Sequence, residues 1–294
     1  MVGGVDRSNL SATWSMMWRP FAKMAMSAAV AMIMVLTLRA VPWGYSWEVD
    51  AETWGIFFTV VGVIYAIVVG FLIVDLLSRY HTLGTQIHAE LNAIEDVRDY
   101  LVYVDHNEDA KEAIIASLGK YVESLVGTEW ERMSQSTEEV GTVVDLESDT
   151  SIQIYEVMKA VEEIELHDAS DQIALTAIIR RLADITTHRT ERLELAKAHL
   201  TPPLRLLVVF MSVVIAFAFI LMRVDSLVIH TYMVVSSVVA IHLLYIVLED
   251  LSHPFRGIWN IRKKPFEDLA ARLRSREALI RSGITPPSAE QIEV

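Results

Sequence analysis

The chain has 294 residues, 53% of them hydrophobic, a formal net charge of −13 at pH 7 and no cysteine. The missing cysteine excludes disulfides and cysteine-held metals. The acidic balance excludes a nucleic-acid role, because phosphate backbones require the opposite sign.

The elements are dominated by four long apolar stretches. About 20 apolar residues cross a bilayer core as a helix, and only helices or closed barrels can do so, because backbone groups find no water there. Residues 21–43 form the first stretch, with Lys23 and Arg39 inside its ends. Its long lead, and the lack of a small-x-small cleavage site after it, argue against a signal peptide. Residues 54–74 form the second, without one charged side chain. The third, 206–222, is bracketed by Arg205 and Arg223, and the fourth, 226–248, is stopped by Glu249 and Asp250. These runs are too long and too continuous for barrel strands. The predicted fold class is all-α, a polytopic membrane protein with four transmembrane helices and a cytosolic helical block.

Five segments follow in chain order. Residues 1–20 are a cytosolic N-terminal segment, 21–77 carry transmembrane helices one and two, 78–201 are the cytosolic helical region, 202–248 carry helices three and four, and 249–294 are a cytosolic C-terminal segment. Its end, from Ser282, has two prolines and little apolar content, so disorder is expected there. Orientation comes from Lys and Arg, which accumulate on cytoplasmic flanks. Arg7, Arg19, Arg79, Arg189, Arg192, Lys197, Arg205, Arg256, Arg262, Lys263 and Lys264 lie on one side, and Arg39 and Arg223 on the other. Both termini are therefore expected in the cytoplasm, with the composition suiting a bacterial inner membrane. Trp43, Trp47 and Trp54 fit an outer aromatic belt, and Trp14 and Trp18 an inner one.

The middle region reads as helices, with apolar residues three and four apart. The stripes are Ile94, Val97, Leu101, Val104; Ile114, Leu118, Tyr121, Leu125; Ile154, Val157, Val161, Ile164; and Leu175, Ile178, Leu182, Ile185. Each is a single stripe, so these helices pack on one another or on neighbouring subunits. Residues 134–151 are polar and contain glycine, which predicts a loop. Thr201-Pro202-Pro203 suits a helix start. Residues 78–201 hold 25 Asp and Glu against 11 Lys and Arg. Most of these acids belong to a solvated helical surface. A sharper reading makes them an acidic vestibule that concentrates cations.

Helix two is where a pore would lie. Gly62 and Gly70 are eight apart, nearly on one face, where small residues let helices approach closely. Val63, Ile67 and Phe71 form a second ladder at i, i+4, i+8. In a symmetric oligomer that ladder can ring an axis, and apolar rings gate ions by dewetting. Asp75 and Arg79 follow four residues apart and read as a structural ion pair.

These residues carry a resemblance. Gly62-Val63-Ile64-Tyr65-Ala66-Ile67-Val68-Val69-Gly70-Phe71, continuing to Ser78-Arg79-Tyr80, resembles the second transmembrane helix of the bestrophin family. His253-Pro254-Phe255-Arg256-Gly257 is similar to the Asn-Pro-Phe-Gly after the last bestrophin membrane helix, and the order of elements matches. A bacterial bestrophin-like group of unknown function is closer still, sharing Glu129-Trp130 in the cytosolic helices. The resemblance implies an oligomeric channel, with a pentamer expected, a helix-two-lined pore and a neck at Val63, Ile67 and Phe71. It leaves selectivity open, since relatives pass anions or cations. The chain departs from the pattern at Leu72, Ile73 and Val74, where bestrophins are polar. It departs again after Gly257, where 258–264 are apolar then basic rather than acidic, so the oxygen ligands of a calcium clasp are missing.

Other motifs are bland. His230 and His242 lie within helix four, where ionisable groups are functional suspects, but they are twelve apart, and hydrogen bonding between helices is the expected role. No HExxH, Walker loop or G-x-S-x-G occurs, so neither an enzyme nor a cofactor or metal is expected. The leading reading is an oligomeric channel in the lipid bilayer passing inorganic ions, with the acidic block favouring cations. The alternative is a non-conducting scaffold or sensor whose acidic helices bind a partner.

Overall fold

A computed structural model describes residues 7–40, 51–105, 107–135, 143–197, 200–222, 224–257 and 259–281. Trp43, Trp47, the tail from Ser282 and the side chains of Trp14 and Trp18 lie outside what is described. The elements are α1 (Arg7–Ala40), α2 (Ala51–Tyr100), α3 (Glu108–Ser124), a π-helical turn (Leu125–Glu129), α4 (Trp130–Gln135), α5 (Val143–Glu162), α6 (Ala169–Lys197), α7 (Pro202–Leu221), α8 (Leu227–Leu251) and α9 (Lys264–Arg281). A 3-10 turn, Leu101–Tyr103, follows α2. No strand occurs among the described residues. Helices long and apolar enough to cross a membrane include α1, α2, α7 and α8. This is an all-helical, multi-pass membrane protein.

The chain divides into two compact units, residues 1–80 with 198–260 and residues 81–197 with 261–294. In the first unit, Tyr65, Val69 and Leu76 of α2 pack with Val208 and Ile215 of α7 and Leu248 and Leu251 of α8. Ala31 and Val35 of α1 pack with Ile220 and Val234. Polar groups fasten these helices where hydrocarbon offers no alternative partner. The Tyr65 and Ser212 hydroxyls lie 3.1 Å apart. His230 Nε2 lies 3.1 Å from the Phe219 carbonyl, the helix-to-helix bond expected of that histidine. Arg39 donates to the carbonyls of Val224 and Asp225, tying α1 to the turn before α8. Pro202 starts α7 and Ser226 caps α8.

In the second unit the expected stripes are the core. Ile94, Val97, Leu101 and Val104 are buried, as are Ile114, Leu118, Tyr121 and Leu125 and the set Ile154, Val157, Val161, Ile164. In the α6 stripe Ile178, Leu182 and Ile185 are buried as expected, and Ala174 takes the inward place of Leu175, which is half-buried. Of the loop expected over 134–151, Ser134 and Gln135 belong to α4 and residues from Val143 to α5, and 136–142 lie outside what is described. Helix α9 buries Phe266, Leu269, Ala270 and Leu273 and packs on α3, and the Phe266 ring meets Trp130 at 5.9 Å.

Candidate functional site

Helix α2 is one continuous helix of 50 residues. Its apolar part has two opposed faces. Tyr65, Val69 and Leu76 turn inward, while Val63, Ile67 and Phe71 are 52%, 53% and 73% exposed. The i, i+4 spacing aligns these three on one flank of the helix, so a single chain leaves the whole ladder uncovered. Gly62 and Gly70 have no atom within 4 Å of where a Cβ would stand. No close helix approach is therefore made at either glycine among the described residues of one chain. The same ladder continues to Asp75 and Arg79, whose side chains pair at 2.9 Å and stay exposed. Asp75 stands one four-residue step beyond Phe71, so the pair continues the exposed flank.

The acidic block of the second unit is less naked than its charge count implies. Asp96 and Asp184 bind Arg181 at 2.9 and 3.0 Å. Glu108 meets Lys111 and Glu123 meets Arg274, and Glu95 pairs with Arg272.

Two more of its acids are buried in an ion network that sequence reasoning missed. Arg192 is fully buried. Its Nε donates to Glu90 Oε2 at 2.7 Å, and its Nη2 donates to Glu129 Oε1 and to Glu90 Oε1. Arg189 donates to Glu129 Oε2 at 2.8 Å and to the Ser151 hydroxyl at 3.1 Å. The Tyr121 hydroxyl donates to Glu90 at 2.7 Å. Burial pushes the Glu129 carboxyl up, but the Arg192 and Arg189 guanidiniums overcome it and hold the group below the usual carboxylate range. Burial and the Glu90 carboxylate together push the Tyr121 phenol well above its ordinary value, so it stays a donor. The π turn Leu125–Glu129 ends on this carboxylate. Glu129 thus holds two arginines and Trp130 packs on α9, which gives the Glu-Trp pair of the sequence a physical role.

After α8 the chain makes a tight turn. Gly257 has φ +100°, and a Cβ there would stand 1.9 Å from Asp250 Oδ1. Asp250 Oδ2 accepts from the Trp259 amide at 2.8 Å. The Glu249 carboxylate lies 3.5 Å from Arg205 and 3.8 Å from His253. Glu249 thereby meets the start of α7 as well as its own helix end, and Asp250 holds the turn that follows α8. Among the described residues, no group of three His, Asp or Glu could hold a metal ion.

A family model of the bestrophin-like domain matches residues 24–266. The chain belongs to the bestrophin-like family. Solved structures agree in fold. A bacterial bestrophin homolog from Klebsiella pneumoniae carrying a point substitution is 14% identical, covers 85% of this chain and 98% of its own, and superposes with a TM-score of 0.68. The same homolog phased on zinc gives 14%, 89%, 99% and 0.67. A chain described only as a membrane protein is 16% identical with a TM-score of 0.66, covering 87% of this chain and 98% of its own. No curated protein matches the chain by sequence. Bestrophins are ion channels, and membership supports a channel-type reading of this bestrophin-like protein.

Proposed function

We propose that this bestrophin-like protein is an oligomeric ion channel, a homopentamer of the bacterial inner membrane, whose pore is lined by α2 and narrowed at Val63, Ile67 and Phe71. The observation that carries the reading is the uncovered ladder. Three large apolar side chains at four-residue spacing are more than half exposed while the opposite face of the same helix packs on α7 and α8. Around a symmetry axis the ladder becomes a stack of apolar rings, which hold back ions by dewetting. Gly62 and Gly70, open in one chain, then serve contacts between copies. No catalytic step belongs to this reading. Flux of ions from liposomes holding the purified protein tests it, and absence of flux from well-oriented, folded protein sinks it.

The proposed permeant ions are monovalent cations. The excess of acids over bases in residues 78–201 is multiplied by the number of copies, and such fields raise the local cation concentration. Screening acts over ~8 Å at physiological salt, so selectivity should fall as salt rises. Reversal potentials in a potassium chloride gradient are expected near the potassium equilibrium potential at low salt. A shift to the chloride value refutes the preference and leaves the channel standing.

The proposed topology puts both termini and residues 78–201 in the cytoplasm. In intact cells an impermeant thiol reagent is expected to label Glu48→Cys and to spare Val140→Cys, and the reverse pattern overturns the orientation. A partner-binding sensor is the second reading. It is favoured by Ile152, Tyr155 and Ile173, apolar yet exposed in the second unit. The flux assay separates it from the channel.

A further inference from the structure

The first unit contains a cavity of about 300 Å³ between α1, α7 and α8. It is unrelated to the α2 ladder and independent of the pore reading. Its lining is graded along the membrane normal. The start of the α1 apolar span, the start of α7 and the end of α8 lie at one membrane face, because α1 and α7 run one way and α8 returns. Counted from that face, Ser27 and Tyr245 are six residues in, His242 nine and Ser212 ten. At about 1.5 Å per residue the polar lining lies roughly 9–15 Å deep. Val209 and Ile241 lie beside these polar groups, seven and ten residues in. The remaining lining, Val213, Val238 and Ala216, is eleven to fourteen residues in, roughly 16–21 Å deep. All the polar lining is thus toward the near face, and the far end is apolar throughout.

Two basic groups, one in the lining and one a helical turn from it, have no acceptor among the described residues. His242 lines the cavity and makes no hydrogen bond to a described residue. Lys23 is one turn from Ser27 on the same flank of α1, within electrostatic range of His242, and it meets no carboxylate among the described residues. A lysine stem lies along apolar surface and keeps its ammonium toward the polar near face, where the head of a bound amphiphile would sit. An ionisable side chain in a membrane span is costly, and its presence calls for a named partner. The two donors ask for an anion, and the apolar end asks for a hydrocarbon chain.

We propose that this cavity binds a single-chain anionic amphiphile, a long-chain carboxylate. Its head accepts from the Lys23 ammonium and the His242 ring N–H, and its alkyl chain lies against Val213, Val238 and Ala216. Size selects one chain. Ligand pockets run roughly from 300 to 1,000 Å³, so this cavity sits at the lower limit and has no room for the body of a two-chain lipid. The side chains at its rim point the same way, since Val213 is exposed and the entrance therefore opens sideways from the helix bundle.

The test uses the full chain in phosphatidylcholine liposomes with a photoactivatable palmitate, mapped by mass spectrometry. Labelling is expected to concentrate on peptides holding residues 208–216 and 238–245. Unlabelled palmitate competes, while hexadecanol, which lacks the charge, competes at least about tenfold more weakly, the loss of one charge-assisted hydrogen bond. Lys23→Gln, an exposed substitution that leaves packing intact, produces a similar loss. Ala216→Trp fills the apolar end and abolishes labelling at these peptides. Labelling spread evenly over all membrane helices overturns the site, and so does equal competition by hexadecanol or indifference to both substitutions. Competition by phosphatidylglycerol as strong as by palmitate overturns the single-chain assignment.

Discussion

An Arg192→Met protein is expected to lose roughly 3–5 kcal/mol of stability in its second unit, the usual cost of stripping one partner from a buried ion pair. Arg192 is fully buried and is shared by Glu90 and Glu129. Without it, Glu129 keeps Arg189 but Glu90 keeps only the Tyr121 hydroxyl among the described residues, leaving a core carboxylate with no cation among them. Thermal unfolding of the detergent-solubilised protein, followed by tryptophan fluorescence with Trp130 as the reporter buried in the second unit and the other six tryptophans replaced by Phe, measures the loss. Adding Glu90→Gln to Arg192→Met should restore part of it, because the stranded charge is then gone. An unchanged midpoint in the single variant would show that the network is replaceable. The wild type carries a pH signature with a definite sign. The native Glu129 carboxyl titrates below its ordinary value of 4.5. Its stabilising share is therefore complete above that pH and vanishes as pH falls through the lower native value. Acid, not base, should loosen the second unit through this group.

Ile67→Ala is expected to raise single-channel current several-fold in planar bilayers. Ile67 is the middle rung of the proposed neck, and it is exposed rather than packed within its own chain, so truncation costs little folding stability. Each copy then removes three carbons from the ring, which widens the constriction and eases its wetting. The same substitution at Val69, on the packed face of α2, should instead lower stability without enlarging current. Equal current from wild type and Ile67→Ala in a verified channel removes Ile67 from the neck. An oligomer in which Val63, Ile67 and Phe71 all face lipid removes the whole assignment.

Much of this architecture was written in one dimension. The four membrane spans follow from unbroken apolar length, and the second-unit helices follow from stripes at three- and four-residue spacing. Those stripes also contained the ion network. Glu90 stands four residues before Ile94, Glu129 four after Leu125, and Arg189 and Arg192 four and seven after Ile185. Charges in core register are a readable signal, distinct from net charge. Helix α9 was legible in the same way from Phe266, Leu269, Ala270 and Leu273, yet was folded into a C-terminal segment.

Other features were decided only by the tertiary structure. Sequence spacing shows that Glu90, Glu129 and Arg192 each face inward, but they are separated by 39 to 102 positions, and periodicity acts over a few turns at most. Which acid meets which arginine depends on how the helices cross. The Gly257 turn folds onto Asp250 through a positive φ that no local propensity announces. The cavity beside His242 lies between three helices, and a gap between elements has no residues of its own to mark it. Periodicity along one helix thus determined what faces inward and what spans lipid, while partnership between helices, set by packing in three dimensions, determined what those inward groups touch.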